Sequence, residues 1–590
     1  MGLLNVGLQM ARSALAAQQL ALEVTGNNIA NANTDSYARR RVQMVSRPDI
    51  DLGSGLKLGS GVGVAGIQRV VDDFLDGRLR QANADCTSLD LQRQTLQRLE
   101  GLYGELGDAD LSTMMNEFFN ALDDLRNFPD EPAQRQLLVS LAQNLTEQFQ
   151  MIRRGITDVR TSLDLQYRAA VQDVNSLTEQ IAALNTEIIR TEGGGLYHGT
   201  AASLRDERDD LLRQLSDLVS INVVEQQAGG ADVWVGSHLL VTDRQHFELR
   251  VETASDFDRD TGRWITSDQA DGPSEVLLSY AVFDIDNTEL QTEGGMLHGL
   301  LYSRDDILAT QADTLDRLVS NLVWEFNKVH SEGCGLAFFE DVTSVDAVTD
   351  ADATLSSAGL SWSPVNGSFN IRVHDTAAGL VKTVNIQVDL DGIGTDDTLN
   401  TLVTKINSAM TAAGLNVSAA VNTDNTLSIT SGATDTRFSF NDDTSNVLAA
   451  LGINTFFTGD NALNVGINER ITGKIDLVAG ALTPTPADGT NAGRLAQLRT
   501  LAIDALGGLS LEEYHQSCIT DLAIETSLTK SRSDGAAAYM GTLQAERDAV
   551  SGVNLDEEAI NLLRYQRAYQ AAARYVTVID EMVKTILAMI

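Results

Sequence analysis

Residues 554–590 read NLDEEAINLLRYQRAYQAAARYVTVIDEMVKTILAMI. Leu555, Leu562, Tyr569, Val576, Val583 and Ile590 recur every seven residues, and Tyr565, Ala572, Ile579 and Ile586 hold the second apolar place of the same heptad. A strict seven-residue stripe is the narrow seam of a coiled coil, which calls for a partner helix rather than a broad core. The start of this helix is also specified. Asn554 can cap it, Glu557 stands at the capping-box place, and Asp556 and Glu558 complement the helix dipole.

The opposite end of the chain carries a matching stripe. Leu8, Leu15, Leu22 and Ile29 keep the heptad period, with Leu4 and Ala11 in the intervening places. Neither stripe has anything local to bury itself against, so the two ends are expected to pair with each other and with neighbouring copies of the chain. The stretch from Thr25 to Thr34 contains Asn27, Asn28, Asn31 and Asn33. Asparagine competes for backbone hydrogen bonds and tolerates left-handed conformations, so the helix is expected to fray here into a specific turn.

Between the ends the pattern alternates. Gly53 to Gly66 is glycine-rich and reads as short strands or an extended hairpin, and helical patterning resumes near Val70. From Pro132 one very long helix is expected, with apolar residues from Leu145 through Ile188 spaced by fours and threes. An extra four at Leu163 to Tyr167 forms a stutter. Gly193-Gly194-Gly195 ends the run and Leu204 to Val219 supplies an antiparallel return helix.

Val233 to Val235, Phe247 to Val251 and Val276 to Tyr280 read as strands. Leu297 to Val329 is helical, and Gly333 to Gly489 is β-rich with one helix at Leu399 to Met410. Helix returns from Ala492, broken near Ser551-Gly552. Helices at both ends with strands in the middle imply β material inserted into a helical stalk.

Composition excludes several function classes. At 590 residues, large cores can form. The net charge of -39 argues against nucleic acid, because no excess of Lys and Arg exists to displace counterions from phosphates. The seven prolines suit long helices. No basic region followed by a continuous apolar run opens the chain, so no cleaved signal peptide is expected. Arg574, Asp580, Glu581 and Lys584 interrupt the apolar tail, which argues against membrane insertion. Composition alone therefore suggests a soluble cytoplasmic protein.

Motifs for chemistry are weak. Gly61-Val62-Gly63-Val64-Ala65-Gly66 matches the dinucleotide fingerprint by letters, but no buried strand precedes it and no βαβ unit follows, which favours a hairpin. Asp256, Asp258, Asp260 and Gly262 resemble the opening of a calcium loop, yet the glycine is one place late and Ser267 stands where the bidentate glutamate belongs. Asp389-Leu390-Asp391-Gly392 falls short similarly, with Ile393 at a ligand place. His298, His330 and His374 occur singly, and Cys86, Cys334 and Cys518 are widely spaced. No catalytic residue, metal ligand or cofactor site is expected, and the chain is not read as an enzyme. Arg39-Arg40-Arg41 is a basic cluster that is either solvated or in contact with an acidic neighbour such as another copy.

Two terminal segments resemble the bacterial flagellar axial proteins. Ala16 to Leu22 and Asn27 to Thr34, closed by Tyr37 and Arg39, are similar to that family's N-terminal signature, although its usual Pro-Gly before the tyrosine is Asp35-Ser36 here. Ser551 to Ala559 and Tyr565 to Arg574 are similar to its C-terminal signature. Internal stretches narrow the resemblance to the hook-associated protein 1 family. These are Leu204 to Leu212, Gly294 to Leu300 with Arg304-Asp305, Leu315-Asp316, Asn327 and His330, and Leu451 to Gly459.

The resemblance implies an α+β, elongated, multidomain axial protein whose terminal helices pair as a coiled coil. The implied parts are a terminal segment 1–60 pairing with 545–590, a helical rod 61–220 with 293–339 and 490–544, a small β-rich insertion 221–292, and a β-rich outer domain 340–489. The implied function is a structural adaptor forming the first junction ring between hook and filament, required for filament assembly. Its partners would be other copies in a ring, the hook protein, the second hook-filament junction protein and an export chaperone. It would leave the cell through the flagellar type III apparatus, which reverses the cytoplasmic reading.

The expected assembly interface comprises Leu8, Leu15, Leu22, Asn27, Asn28, Ile29, Asn31 and Tyr37 with Leu555, Leu562, Tyr565, Tyr569, Val576, Ile579, Val583 and Ile586. The alternatives are another axial protein, such as the hook protein, or a secreted β-domain adhesin or carbohydrate-binding protein. The long helix from Pro132 speaks against the hook protein.

Overall fold

The computed structural model describes residues 2–34, 36–51, 57–104, 110–193, 200–254, 256–258, 263–265 and 277–589. In chain order its first elements are α1 (Gly2–Ala30), β1 (Arg40–Ser46), β2 (Ile50–Asp51), β3 (Lys57–Leu58), β4 (Val62–Arg69), α2 (Asp73–Tyr103), α3 (Leu111–Asn127), α4 (Pro132–Thr191) and α5 (Ala202–Leu218). There follow β5 (Asn222–Glu225), β6 (Ala231–Val235), β7 (His238–Val241), β8 (Leu249–Ala254), β9 (Asp256–Asp258), β10 (Arg263–Ile265), β11 (Leu278–Phe283), α6 (Gly295–Leu301) and α7 (Leu308–Ser331). The β-rich region holds β12 (Asp341–Thr343), β13 (Gly367–Asp375), β14 (Leu380–Val388), α8 (Leu399–Ala413), β15 (Val417–Val421), β16 (Leu427–Ser431) and β17 (Thr436–Asn441). The chain closes with α9 (Val447–Ala450), β18 (Phe457–Thr458), β19 (Gly466–Ile467), α10 (Glu469–Gly473), α11 (Thr490–Gln497), α12 (Leu511–Ser551) and α13 (Leu555–Met589). The fold class is α+β.

Contacts divide the chain into two compact units. The first gathers Met1–Thr95, Thr161–Asp306 and Ser527–Ile590, and the second Leu96–Arg160 and Ile307–Thr526.

In the first unit α1 packs against α13, and the antiparallel pair β1 and β4 lies along α1. Ala21, Val24 and Val42 are buried together, with Leu20, Met44, Ile67 and Tyr565 against them. Val62 to Gly66 is thus strand, with Gly61 just before it, in a hairpin that approaches α1 closely. Gly61 has φ +99°, and a Cβ there would strike Ser13 Oγ at 2.5 Å. The asparagine-rich stretch differs from expectation, because α1 continues through Asn27 and Asn28 to Ala30 before turning. The Asn28 side chain bonds across to other elements rather than to its own backbone, so it does not compete with the helix. Asp35, where the family pattern has proline, lies outside the described residues.

α4 spans 60 residues, and both stutter residues, Leu163 and Tyr167, are buried. α5 runs back beside it: Arg205 pairs with Glu192 at 3.0 Å, and Arg208 donates to Asn185 Oδ1 at 3.1 Å. Gly193 takes φ +60° just after α4, while Gly194 and Gly195 lie outside the described residues. β5, β6 and β7 form one sheet and β8 pairs with β11, each of the latter two strands starting two residues later than the pattern suggested. β9 and β10 pair as a hairpin; Asp260, Gly262 and Ser267 of the calcium-like stretch lie outside the described residues.

The helix expected over Leu297 to Val329 is interrupted by a π-turn at Tyr302–Ile307. Its extra residue brings three successive polar side chains inward, and Ser303, Arg304 and Asp305 are all buried. Arg304 Nη1 donates to Asp164 Oδ1 at 2.6 Å and its Nε to Asp305 Oδ1 at 2.7 Å. Asp164 also accepts from the Ser279 amide at 2.7 Å, and the Tyr167 hydroxyl accepts from the Ala281 amide at 3.0 Å. This network ties β11 to α4.

In the second unit an aromatic core joins α3, α7 and the segment around β18. Phe118 lies 5.5 Å from Phe326, and Phe326 lies 5.1 Å from Phe456 and 5.0 Å from Phe457. The β-rich part contains two three-stranded antiparallel sheets, β14-β13-β17 and β12-β16-β15. α8 packs on β14 and β15. It begins at a capping box, Thr398 with Thr401, and is capped by Gly414 at φ 66°, its last residue, Ala413, lying three beyond the Met410 end expected from sequence. Residues 498–510 lack α-helix, so the helix expected to run on from Ala492 is instead the short α11 and the long α12.

Candidate assembly interface

The two ends pair in one antiparallel register. A Cβ on Gly7 would lie 3.2 Å from Ile579 Cδ1, Tyr565 packs on the Ala21 cluster, and Asn28 bonds Glu558. Each heptad step forward along α1 matches one back along α13, which places Ala14 opposite Ala572. The residues facing α13 are therefore Gly7, Ala14, Ala21 and Asn28, one place before the leucine stripe. Small side chains let two helices approach closely, whereas leucines at those places would hold them apart.

The leucines consequently lie beside the seam. Leu8 is 45% exposed, and Leu15, Leu22 and Ile29 are half-buried. On α13, Ile579 is buried at 2% exposure, and Leu562, Tyr565, Val576 and Val583 are half-buried. Leu555, Tyr569 and Ile586 are exposed. Asn27 is exposed and accepts from Asn31 Nδ2 at 2.7 Å. The side chain of Leu4 and residue Ile590 lie outside what is described.

Asn28 is the hub of the turn, and it is 1% exposed. Its Oδ1 accepts from the Tyr37 hydroxyl at 2.7 Å and from the Arg40 amide at 3.0 Å. Its Nδ2 donates to the Arg40 carbonyl at 2.9 Å and to Glu558 Oε2 at 3.1 Å. Both donors and both acceptor sites of the amide are thereby used. Burial raises the Tyr37 hydroxyl pKa above its ordinary value, against the opposing effect of Arg40, whose guanidinium sits 4.9 Å from the ring centroid. Tyr37 stays a donor.

Glu558, at 2% exposure, also takes Arg39 at Oε1, from Nε and Nη2 at 2.9 Å each. Arg39 Nη1 meets Glu557 at 2.9 Å. Asn554 caps α13 as expected, accepting from the Asp556 and Glu557 amides. Glu557 and Glu558, read from sequence as capping-box and dipole residues, instead reach α1's turn. The basic cluster likewise finds its acidic neighbour within the chain: Arg40 pairs with Asp206 at 2.7 Å and Arg69 with Asp206 at 2.8 Å and with Asp209, while Arg41 is exposed. The signal available in sequence was the heptad of small residues at 7, 14 and 21 leading into Asn28. No local pattern marked Glu558 or Asp206.

Burial also acts on several titratable groups away from this turn. Burial pushes the Cys334 and Cys518 thiols up to about 11 and raises that of Cys86. His330 is fully enclosed and burial lowers it to about 4; its Nδ1 lies 2.7 Å from the Asn454 carbonyl and its Nε2 accepts from the Ala479 amide at 2.9 Å. Asp389, Asp391 and Asp396 gather in one turn near the surface.

These features coincide with known flagellar sequences. Residues 8–37 match the family described as Flagella basal body rod protein, 96–339 the Flagellar hook-associated protein FlgK helical domain, and 546–589 the Flagellar basal body rod FlgEFG protein C-terminal. Flagellar hook-associated protein 1 of Bacillus subtilis (strain 168) is 26% identical, over 99% of this chain and 97% of its own. That of Escherichia coli (strain K12) is also 26% identical, over 96% of each. The solved flagellar hook junction protein FlgK from Burkholderia pseudomallei aligns with a TM-score of 0.48 at 17% identity, over 80% of this chain and all of its own. With terminal and helical segments matched in order and relatives aligned along nearly the full length, the chain is similar from end to end to flagellar hook-associated protein 1.

Proposed function

We propose that this chain is a structural adaptor of the bacterial flagellum, forming the first junction ring between hook and filament, on which the filament is built. The observation that carries the reading is the pairing of α1 with α13 in a register that spends small residues on the internal seam and leaves a leucine face beside it. A helix pair with an outward apolar stripe is stable in water chiefly when further copies cover it. In the ring, Leu8, Leu15 and Leu22 with exposed α13 residues such as Tyr569 and Ile586 would meet neighbouring copies. The hook protein would lie on one side and the second junction protein on the other. Residues 340–489 would form an outer domain that seating on the hook does not require.

The role is structural, in keeping with relatives that are flagellar structural proteins. Export through the flagellar type III apparatus, with an export chaperone holding the chain, completes the reading. The test is deletion of the gene with complementation. Cells lacking it should keep hooks, lose filaments and release flagellin into the medium. Normal filaments in the deletion strain would overturn the proposal.

A further inference from the structure

The network around Asn28 does more than join two helices. Glu558 fixes Asn28 Nδ2, and the same amide clamps both the carbonyl and the amide of Arg40, the first residue of β1. Successive side chains of a strand point to opposite faces, so while Arg39 turns to Glu558, Arg40 turns to Asp206 on α5. Asp206 in turn holds Arg69, the last residue of β4. The Arg39 backbone closes the same knot, its amide donating to the Ser551 carbonyl at 3.0 Å and its carbonyl accepting from Val70 at 2.8 Å. A continuous path of hydrogen bonds thus runs from the first turn of α13 through Asn28 and Arg40 to α5, entering and leaving both ends of the hairpin.

A two-stranded hairpin is marginal by itself and depends on what clamps it. We infer that Glu558 is the closing member of a conformational latch: docking of α13 on α1 sets the β1–β4 hairpin in place against α5, so the hairpin is held only in a chain whose far end has docked. Without Glu558, Arg39 keeps only the exposed Glu557, and Asn28 Nδ2 loses its carboxylate acceptor while facing the Arg40 carbonyl alone. The inference concerns the free chain and does not depend on the junction reading.

Hydrogen exchange on the full-length chain tests it, comparing wild type with Glu558→Ala and Glu558→Gln. In wild type the amides of Arg40, Arg41 and Val70 should be protected. Glu558→Ala should speed their exchange tenfold or more while amides of α4 between residues 165 and 190 keep wild-type rates. Glu558→Gln, which retains an acceptor without the charge, should fall between. The latch is overturned if Glu558→Ala frees α13 while the hairpin amides stay protected, or if those amides are unprotected in wild type. Should α4 also loosen in Glu558→Ala, Arg40→Met decides, since it cuts the path beyond Asn28. Faster hairpin exchange with α13 still docked supports the latch, and unchanged hairpin exchange overturns it.

Discussion

Asn28 Nδ2 lies 3.1 Å from Glu558 Oε2, a buried bond between side chains 530 positions apart. It explains why an asparagine-rich turn at one end accompanies an acidic helix start at the other: one supplies a neutral donor, the other the carboxylate that needs it. Asn28→Asp should therefore be worse than Asn28→Ala, because it places a second carboxylate beside Glu558. A loss of about 2–4 kcal/mol at neutral pH is expected for Asn28→Asp and about 1–3 for Asn28→Ala. In Asn28→Asp one carboxyl of the pair will have a pKa above its unfolded value, so the penalty is full above that pKa and is relieved as pH falls through it. Urea denaturation at pH 7 and pH 5 checks both order and direction. Equal losses at the two pH values would contradict the assignment.

Ala21→Leu and Leu22→Asp separate the seam from the outer face. Ala21 is packed against Tyr565, so added volume there should force the helices apart at a cost of about 1–3 kcal/mol in the isolated chain. Leu22 is half-buried beside the seam, so the aspartate should leave the monomer's thermal midpoint within a few degrees of wild type and yet abolish filaments in cells. Circular dichroism on purified chain and filament counts in a complemented deletion strain give the two readings. Filaments on Leu22→Asp cells would show that this face meets no neighbour.

His330 predicts an acid sensitivity in the second unit. As a neutral ring it accepts from the Ala479 amide, and burial holds its pKa near 4, below the ordinary 6.5. For a histidine depressed on folding, the contribution is fully present above the unfolded pKa and is lost as pH falls from about 6.5 towards 4. The stake is about 3 kcal/mol over that window. His330→Gln should flatten this part of the stability profile, measured by denaturant midpoints between pH 7 and 4. A wild-type profile already flat there would remove the histidine from the account.

Much of this architecture was legible because its signals are local and periodic. The 60-residue α4 announced itself through thirteen apolar places, and α8 was readable as a helix over Leu399 to Met410, three residues short of its end. The heptads at the chain ends were visible too, but the face that meets α13 was not. Hydropathy weights Leu8, Leu15 and Leu22 above Gly7, Ala14 and Ala21, although close helix approach favours the small residues. The Asn28 knot was hidden for a different reason: the Arg39 cluster was visible, but nothing local says that its acidic partners are Glu558 and Asp206, because the bond between Asn28 and Glu558 joins positions 530 residues apart. The π-turn at Tyr302–Ile307 was equally silent, because its cause is the partner awaiting Arg304 rather than any breaker in the sequence.

Arg304 is the last case, and its environment sets the expected cost. The guanidinium is 1% exposed, bound by Asp164 and Asp305 and by the Ser279 carbonyl at 2.9 Å. Arg304→Met keeps similar volume but takes the buried guanidinium away from two buried carboxylates, Asp164 retaining the more exposed Arg168 at 2.8 Å, and breaking one side of such a network costs up to about 3–5 kcal/mol. The damage should centre on the first unit, because Asp164 anchors β11 through Ser279. Replacing the acids as well, with Asp164→Asn and Asp305→Asn on the Arg304→Met background, should recover part of the loss, since neutral amides can keep the Ser279 contact while removing two buried negative charges. Denaturation of the single and triple variants supplies the comparison. If the single variant matches wild type, the ion network contributes nothing to this unit, and the π-turn that delivers Arg304 to it has some other cause.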